Sequence, residues 1–270
     1  MLSALLVAGL SVSALMWVLW AVQRRTRDAS SVDAFWALAI GASGLWYAAS
    51  GDGDPYRRWL AGGLIAAWAA RLGGHLLYDR VLRAREEDGR YAAMRAHWGA
   101  SANLHFAWFY QAQAVVATIF ALPFLVAAHD PRPLGLCDAI AVVWWLTTLG
   151  LVALADRQLA HWRRDPANHG RTCRAGLWSW SRHPNYFFEW LHWFAYPVLA
   201  LGGPFGFWTF GAPLLLLIFL LFLSGIPYTE ARALKTRGDD YRAYQAAVSK
   251  FIPFPPRVVA PAASKQTPTA

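Results

Sequence analysis

Repeated runs of apolar residues constrain this chain more than any other feature. Several of them reach the roughly 20 consecutive apolar residues that a helix needs to cross the hydrocarbon of a bilayer. Of the 270 residues, 57% are hydrophobic and only 15% are charged, against about 25% charged in average globular proteins. The pattern predicts an all-α, polytopic integral membrane protein rather than a soluble enzyme with buried helices.

The apolar windows predict about seven transmembrane helices, at residues 2–22, 34–50, 59–78, 104–127, 136–155, 185–203 and 206–227. The first window has no basic residues before it and a basic cluster after it, which favours a retained helix over a signal peptide. The loops after the first, third and fifth spans are rich in arginine, and the intervening loops are poor in it. The positive-inside rule then predicts an amino terminus outside and a carboxyl terminus in the cytoplasm.

The net charge and the two cysteines indicate which partners and covalent or metal links the chain can have. The net charge of +9 is concentrated in loops between spans, which favours anionic membrane lipid over nucleic acid as the partner. Cys137 and Cys173 lie in different segments without metal-ligand spacing, so we predict neither a disulfide framework nor a metal site. Residues 1–258 are predicted to form a single membrane-embedded domain, and the Pro-, Ala- and Thr-rich stretch 259–270 a disordered tail.

The densest group of polar side chains lies in the stretch 176–189, directly before an apolar run. Its polar members are Arg182, His183, Asn185, Tyr186 and Glu189. Pro184 suits the first turn of a helix, and Asn185 and Glu189, four residues apart, then share one face of it. A polar face at the entrance to a membrane is costly unless it binds something. The stretch therefore predicts a binding site.

Further polar residues lie at or near the span ends. Asp33 at the start of the second span suits either a first-turn helix acid or a catalytic residue. Arg71, His75 and Tyr78 recur at helical spacing on the third span, which favours the wall of a polar cavity over an isolated interior group.

Asp156 ends the fifth span, and Arg163 and Arg164 follow it. These arginines suit topology marking and phosphate capture equally well, since guanidinium groups bind phosphate through paired donors. The mixed charged and aromatic tail 225–254 suits an interfacial helix or a flap over a cofactor.

The stretch from Gly176 to Trp190 resembles the signature of the steroid 5α-reductase family, in particular its bacterial branch. The resemblance extends through residues 156–253 and is weaker in 32–36 and 68–75. It implies a seven-helix reductase of the bacterial inner membrane that passes hydride from NADPH to a carbon–carbon double bond conjugated to a carbonyl. The substrate would be a hydrophobic small molecule, lipid or steroid-like, and the half 150–256 would carry the cofactor motif.

The resemblance also implies roles for individual residues. The implied cofactor-binding residues are Asp156, Arg163, Arg182, His183, Asn185, Tyr186 and Glu189. Asp33 falls where the family has a substrate-binding carboxylate. Trp68 stands where the family has a tyrosine that polarises the substrate carbonyl. An indole cannot give a proton to that carbonyl oxygen in the way that a phenol does. We therefore predict that His75 or Tyr78 substitutes for it, with Asp33, His75 and Tyr78 as catalytic residues.

Two other classes remain open. Membrane methyltransferases that act on isoprenylcysteine or phospholipids share the Arg-His-Pro-x-Tyr core and a basic tail. Asn185 and Glu189 favour the reductase, and Glu230 stands alone where those methyltransferases carry paired glutamates. A non-catalytic lipid-handling protein is the third class. The sequence contains no Rossmann fingerprint and no P-loop, so a dinucleotide site would have to be built differently.

Overall fold

The chain is almost entirely helical in the computed structural model, which describes residues 1–257. Within these residues there is no β-strand, only an isolated bridge between Ser181 and Ser249. The predicted all-α class is therefore confirmed, whereas the predicted disordered tail 259–270 lies outside the described residues. The α-helices are α1 (Leu2–Thr26), α2 (Val32–Ser50), α3 (Pro55–Leu77), α4 (Gly89–Trp98), α5 (Ala102–Ala128), α6 (Leu136–Arg164), α7 (Pro184–His192), α8 (Ala195–Ala200), α9 (Gly211–Ile218) and α10 (Ile226–Ala247).

Six helical segments within residues 1–257 are long and apolar enough to cross a membrane. Three are α1, α2 and α6, and the others combine α-helices with 3₁₀- or π-helical turns. The joined segments are Pro55–Leu82, Gly89–Ala128 and Gly206–Ala247. The prediction of an integral membrane protein is supported.

The predicted span 185–203 is not a continuous helix, so the expected count of about seven transmembrane helices is not confirmed. It consists of α7 and α8, separated by a turn at Trp193 and Phe194. Pro197 explains the break, because proline has no N–H for the carbonyl of the residue four positions earlier, which is Trp193, and its ring clashes with that carbonyl.

The chain divides into two compact units. The first comprises residues 1–144 and 193–215, and the second residues 145–192 and those from 216 on. In the first unit, α2 packs against α3, and α5 packs against both α1 and α2. A Cβ at Gly41 would clash with the Cβ of Ala69, and one at Gly44 would clash with Cγ2 of Ile65. Glycine at these positions allows the close backbone approach on which helix pairs in membranes depend.

A buried arginine also stabilises the first unit. Asp54 caps α3 by accepting from the backbone N–H of Arg57 (2.9 Å), and the Arg57 side chain is 4% exposed. Its guanidinium donates two parallel hydrogen bonds to Asp138, of 2.7 and 2.8 Å, and further bonds to the carbonyls of Pro133 and Leu199. Asp138 is 3% exposed, so this ion pair, rather than solvent, accounts for its charge.

Candidate functional site

The polar stretch predicted to form a site lies in the second unit and begins at a glycine with a left-handed backbone. Gly176 has φ +56°, a conformation that glycine adopts without penalty. A side chain there would also meet Gln158, whose Oε1 accepts from the N–H of Leu177 at 2.9 Å. The indole of Trp178 donates to the carbonyl of Ala155 at 2.9 Å. These contacts fix the start of the stretch against α6.

The segment after α10 is bound to the same stretch. Ser181 donates from Oγ to the carbonyl of Phe251 at 2.7 Å, and the N–H of Arg182 donates to the carbonyl of Ser249 at 2.8 Å. The Tyr244 hydroxyl donates to the carbonyl of Trp178 at 2.6 Å. The tail that the sequence predicted as an interfacial helix or a flap is thus tied through backbone and side chains to the signature.

Glu230, on α10, is the centre of this contact network. Its Oε1 accepts from Nε of Arg182 at 2.7 Å and lies 3.3 Å from Nε2 of His183. Tyr241 donates to the same oxygen at 3.3 Å, and Gln245 donates to Oε2 at 3.0 Å. Sequence reasoning counted Glu230 only as an unpaired glutamate and missed this role. The usable signal was its position in α10 beside apolar and aromatic residues, where a single carboxylate needs cationic partners.

His183 is buried at the centre of the network, with 3% of its surface exposed. Burial lowers the pKa of the imidazole below its ordinary value, although the hydrogen bond and charge of Glu230 oppose this shift. The ring stacks on Tyr186 with centroids 5.6 Å apart. The environment therefore favours a neutral imidazole, which can accept or donate one hydrogen bond.

The remaining predicted cofactor residues lie along α6 and α7. Asn185 donates from Nδ2 to Oδ1 of Asp156 at 3.1 Å. The Tyr186 hydroxyl lies 3.4 Å from Oγ1 of Thr229 on α10. Glu189 is half-buried and follows Asn185 by one helical turn. Asp156 and Asn185, which were both predicted as cofactor-binding residues, are thus in direct contact.

Three arginines concentrate positive charge in the same unit. Arg163, at the end of α6, lies close enough to Arg232 and Arg237 of α10 for their charges to repel it. Arg237 also lies over the ring of Tyr241 at 5.2 Å. Nearby Cys173 is buried, and burial raises the pKa of its thiol, so it is a poor nucleophile. Like charges brought together in this way are stabilised by a bound anion.

The predicted catalytic residues lie in the first unit. Asp33, in the first turn of α2, accepts hydrogen bonds from Arg80, from Arg90 at 2.6 Å and from the Tyr91 hydroxyl at 2.6 Å. Sequence reasoning missed these three partners, of which Arg90 and Tyr91 lie in α4 and Arg80 in the π-helical turn after α3. Asp88 binds the same arginines. Burial alone would raise the pKa of Asp88, but the hydrogen bonds and charge of Arg90 and the charge of Arg80 hold it below its ordinary value.

His75 and Tyr78 occupy a different environment from Asp33. His75 has an exposed side chain, and its Nε2 lies 3.4 Å from Oδ2 of Asp79. Tyr78 opens a π-helical turn and is 58% exposed. Trp68, by contrast, is buried and meets Trp193 edge-on with centroids 5.1 Å apart. None of the contacts described for His75 or Tyr78 reaches Asp33.

The six apolar helices indicate an integral membrane protein, and polar contacts join α6, α7 and α10 in its second unit. Its residues 19–248 match the model of a family described as "Protein of unknown function (DUF1295)", and the chain belongs to that family. The family is part of the steroid 5-alpha-reductase-like superfamily. The predicted resemblance is therefore confirmed at the level of the superfamily.

The chain is also similar to a fungal protein, "Uncharacterized protein C594.04c" of Schizosaccharomyces pombe. The two are 27% identical, over 92% of this chain and 79% of the fungal protein. No solved structure matches the chain significantly.

Proposed function

We propose that this protein is a membrane-embedded, NADPH-dependent reductase of a carbon–carbon double bond conjugated to a carbonyl in a lipid or steroid-like substrate. The observation that carries the proposal is the grouping of Arg163, Arg232 and Arg237 in the same unit as the Asp156–Asn185 pair. Superfamily membership supports it.

The residues of the second unit fit a phosphorylated dinucleotide. Arg163, Arg232 and Arg237 would hold its phosphates, because guanidinium groups bind phosphate through paired N–H donors. The carboxylate of Asp156 and the amide of Asn185 offer acceptors and donors for its hydroxyl and amide groups. Glu189 and Tyr186 would line the same site. NADPH carries one more phosphate than NADH, which favours it at a site with three arginines.

In this proposal the side chains of Arg182 and His183 hold neighbouring segments in place and do not contact the cofactor. Arg182 is engaged by Glu230 and by the carbonyls of Gln245 and Val248. His183 is directed to Glu230 as well. The Arg-His pair thereby holds the segment after α10 against α7, and the cofactor contacts fall to the residues named above.

When bound, NADPH supplies the hydride that adds to the β-carbon of the double bond. Negative charge then develops on the substrate carbonyl oxygen, and the protein must offer a donor or cation there. His75 or Tyr78 is the residue predicted for this task, and Asp33 is predicted to bind the substrate. Because the Asp33 carboxylate already accepts from two arginines and Tyr91, its proposed role is to orient those donors.

Cofactor binding by purified protein in lipid nanodiscs tests the proposal. NADPH, NADH and S-adenosylmethionine are titrated separately while tryptophan fluorescence is recorded. We expect NADPH to bind, and Arg163→Ala and Arg237→Ala each to weaken it by about tenfold to a hundredfold, the value of a charge-assisted hydrogen bond. The control is Arg242→Ala, because Arg242 lies on α10 but is exposed and pairs with Asp239.

The other classes are outcomes of the same titration. Binding of S-adenosylmethionine in place of NADPH would replace the reductase with a methyltransferase, whose resemblance includes the same Arg-His-Pro core. Binding of none of the three would favour a non-catalytic lipid-handling protein. Equal loss of NADPH binding in Arg163→Ala and Arg242→Ala would remove the phosphate role assigned to the arginine group.

We further propose the orientation predicted from loop charge, with the amino terminus outside and the carboxyl terminus in the cytoplasm of a bacterial inner membrane. Arg57 and Arg132, on the side assigned to the outside, are engaged by Asp138 and Asp130, so free positive charge there is smaller than the sequence suggests.

Cys137 is exposed and Cys173 buried. A membrane-impermeant maleimide should therefore label Cys137 from outside intact cells, and labelling only after lysis would reverse the orientation.

A further inference from the structure

The end of α1 carries two aromatic and two basic side chains on one face. Trp17, Trp20, Arg24 and Arg27 follow one another at intervals of three, four and three residues, the spacing that places side chains above one another on a helix. We call these four residues the α1 stripe. Trp17 is 45% exposed, and both arginines are exposed. Because α1 is a candidate membrane span, the stripe lies where that span leaves the hydrocarbon.

The guanidinium of Arg24 is held by the ring of Trp20. It lies over that ring, 4.8 Å from the centroid, a geometry in which an aromatic face attracts a cation. The indole is itself fixed, because its N–H donates to the backbone carbonyl of Asn103 at 2.8 Å and its ring meets Trp17 edge-on, with centroids 5.2 Å apart. Arg24 is thereby kept in one place while its side chain remains accessible.

The positive charge of the stripe is not neutralised within residues 1–257. Neither Arg24 nor Arg27 forms an ion pair there, and the same is true of the neighbouring Arg25. Asp28 is the nearest acidic residue in the sequence, and its carboxylate accepts from the N–H of Ser30 at 2.8 Å. The end of α1 therefore carries a net positive charge, which an anion that accepts hydrogen bonds from guanidinium groups can balance.

The spacing of the stripe matches the layers of a membrane surface. A helix rises about 1.5 Å per residue, so Trp20 and the guanidinium above its ring lie about 5 Å beyond Trp17 along α1. Tryptophan favours the boundary between hydrocarbon and headgroups, and the headgroup layer is roughly 5–8 Å thick on each side. With Trp17 at that boundary, the guanidinium of Arg24 lies at the level of the lipid phosphates.

We propose that the α1 stripe binds one anionic phospholipid, with Arg24 and Arg27 on its phosphate and Trp17 beside its acyl chain. Arginines that only mark topology need to lie at the end of a span, but they need neither helical spacing nor an aromatic ring beneath one of them. The proposal depends on neither the reductase function nor the orientation in the membrane, because its contacts lie in α1 and at the start of α5.

Native mass spectrometry of the full-length protein in detergent tests the proposal without nucleotide. Palmitoyl-oleoyl phosphatidylglycerol and the matching phosphatidylcholine, which have the same acyl chains, are titrated separately. We expect phosphatidylglycerol to bind more tightly. Arg24→Gln should weaken its binding by about fivefold, the value of one basic residue at an anionic membrane surface. Trp20→Leu should weaken it as well, because Arg24 then loses the ring that holds it.

Arg25→Gln is the matched control. Arg25 is the next residue, is exposed and forms no ion pair among the described residues, but it lies about 100° around the helix from Arg24. Its loss of phosphatidylglycerol binding should be clearly smaller. Phosphatidylglycerol bound elsewhere on the chain contributes equally to both variants, so the difference between them reports the stripe. Unfolding temperatures in phosphatidylcholine should be the same for both.

Three results would overturn the proposal. Equal affinity for the two lipids would mean that the headgroup is not recognised. Equal losses in Arg24→Gln and Arg25→Gln would mean that only diffuse surface charge attracts the lipid. Displacement of phosphatidylglycerol by millimolar inorganic phosphate would mean an anion site that does not require a lipid. None of these results bears on NADPH binding, because no nucleotide is present and the arginines of the second unit are unchanged in every variant.

Discussion

The contact between Glu230 and the Arg-His pair should determine whether the segment after α10 stays in place. The perturbations are Glu230→Gln, which keeps the shape and removes the charge, and Glu230→Ala, which removes the side chain. Glu230 accepts from Arg182 at 2.7 Å and from Gln245 at 3.0 Å, and it lies 3.3 Å from His183. Both substitutions therefore act on α7 and on the end of α10 at once.

The expected loss follows from burial. The side chains of Arg182 and Glu230 are 10% and 14% exposed, and removing one partner of a buried pair costs about 3–5 kcal/mol. Arg182 keeps its bonds to the carbonyls of Gln245 and Val248, which reduces the loss. We expect the free energy of unfolding to fall by about 2–4 kcal/mol in Glu230→Ala and by about 1–2 kcal/mol in Glu230→Gln.

Unfolding in mixed micelles, followed by circular dichroism, measures this loss, and amide hydrogen exchange locates it. Exchange should accelerate in residues 244–251, since Arg182 and Ser181 hold the carbonyls of Ser249 and Phe251. Asp239→Asn is the control, because Asp239 is on the same helix with a side chain that is 97% exposed, and no measurable change is expected. If Glu230→Ala were as stable as Asp239→Asn, the reasoning would be refuted.

Three further expectations follow from other contacts. Because burial lowers the pKa of His183, the unfolded chain takes up its proton first as the pH falls below about 6.5, so the free energy of unfolding should drop there and His183→Gln should flatten that dependence in a pH series. Arg57→Met and Asp138→Leu should each cost about 3–5 kcal/mol, and the double variant clearly less than their sum, in a double-mutant cycle of unfolding free energies. Gly41→Ala should cost about 1–3 kcal/mol by crowding the α2–α3 contact, whereas Gly63→Ala, where a Cβ meets nothing within 4 Å, should be neutral or slightly stabilising by the same measurement.

The long helices were predictable from the sequence because a helix that crosses a bilayer needs about 20 consecutive apolar residues, and such runs are visible in the sequence. The windows 2–22, 104–127 and 136–155 correspond to α1, α5 and α6 within a few residues, except that α6 continues to Arg164. Charged residues end an apolar window but do not end a helix, so hydropathy did not predict that α6 continues beyond residue 155. The break inside 185–203 was foreseeable from Pro197, whose effect on the carbonyl of Trp193 is local.

The candidate site was predictable only in part. Asn185 and Glu189 lie at helical spacing in one short stretch, and a local pattern of that kind can be read directly. The partners of the stretch come from distant positions: Asp156 is 29 residues before Asn185, and Glu230 is 48 residues after Arg182. Such pairings depend on how helices pack, which hydropathy does not encode. Asp33 illustrates the same limit, since its partner Tyr91 is 58 residues away.

The contacts of the signature bear on how cofactor choice could be encoded. Its Arg-His-Pro core resembles that of both reductases and methyltransferases, yet here the side chains of Arg182 and His183 bind Glu230. A core that fastens the tail to α7 can serve either chemistry, so it carries little information about which cofactor is bound. Under the proposed function the discriminating groups would then lie elsewhere in the second unit, where the arginines around Arg163 offer charge that suits phosphates rather than a sulfonium ion. The substitution that should separate the two classes is therefore Arg163→Ala, not a change in the signature itself.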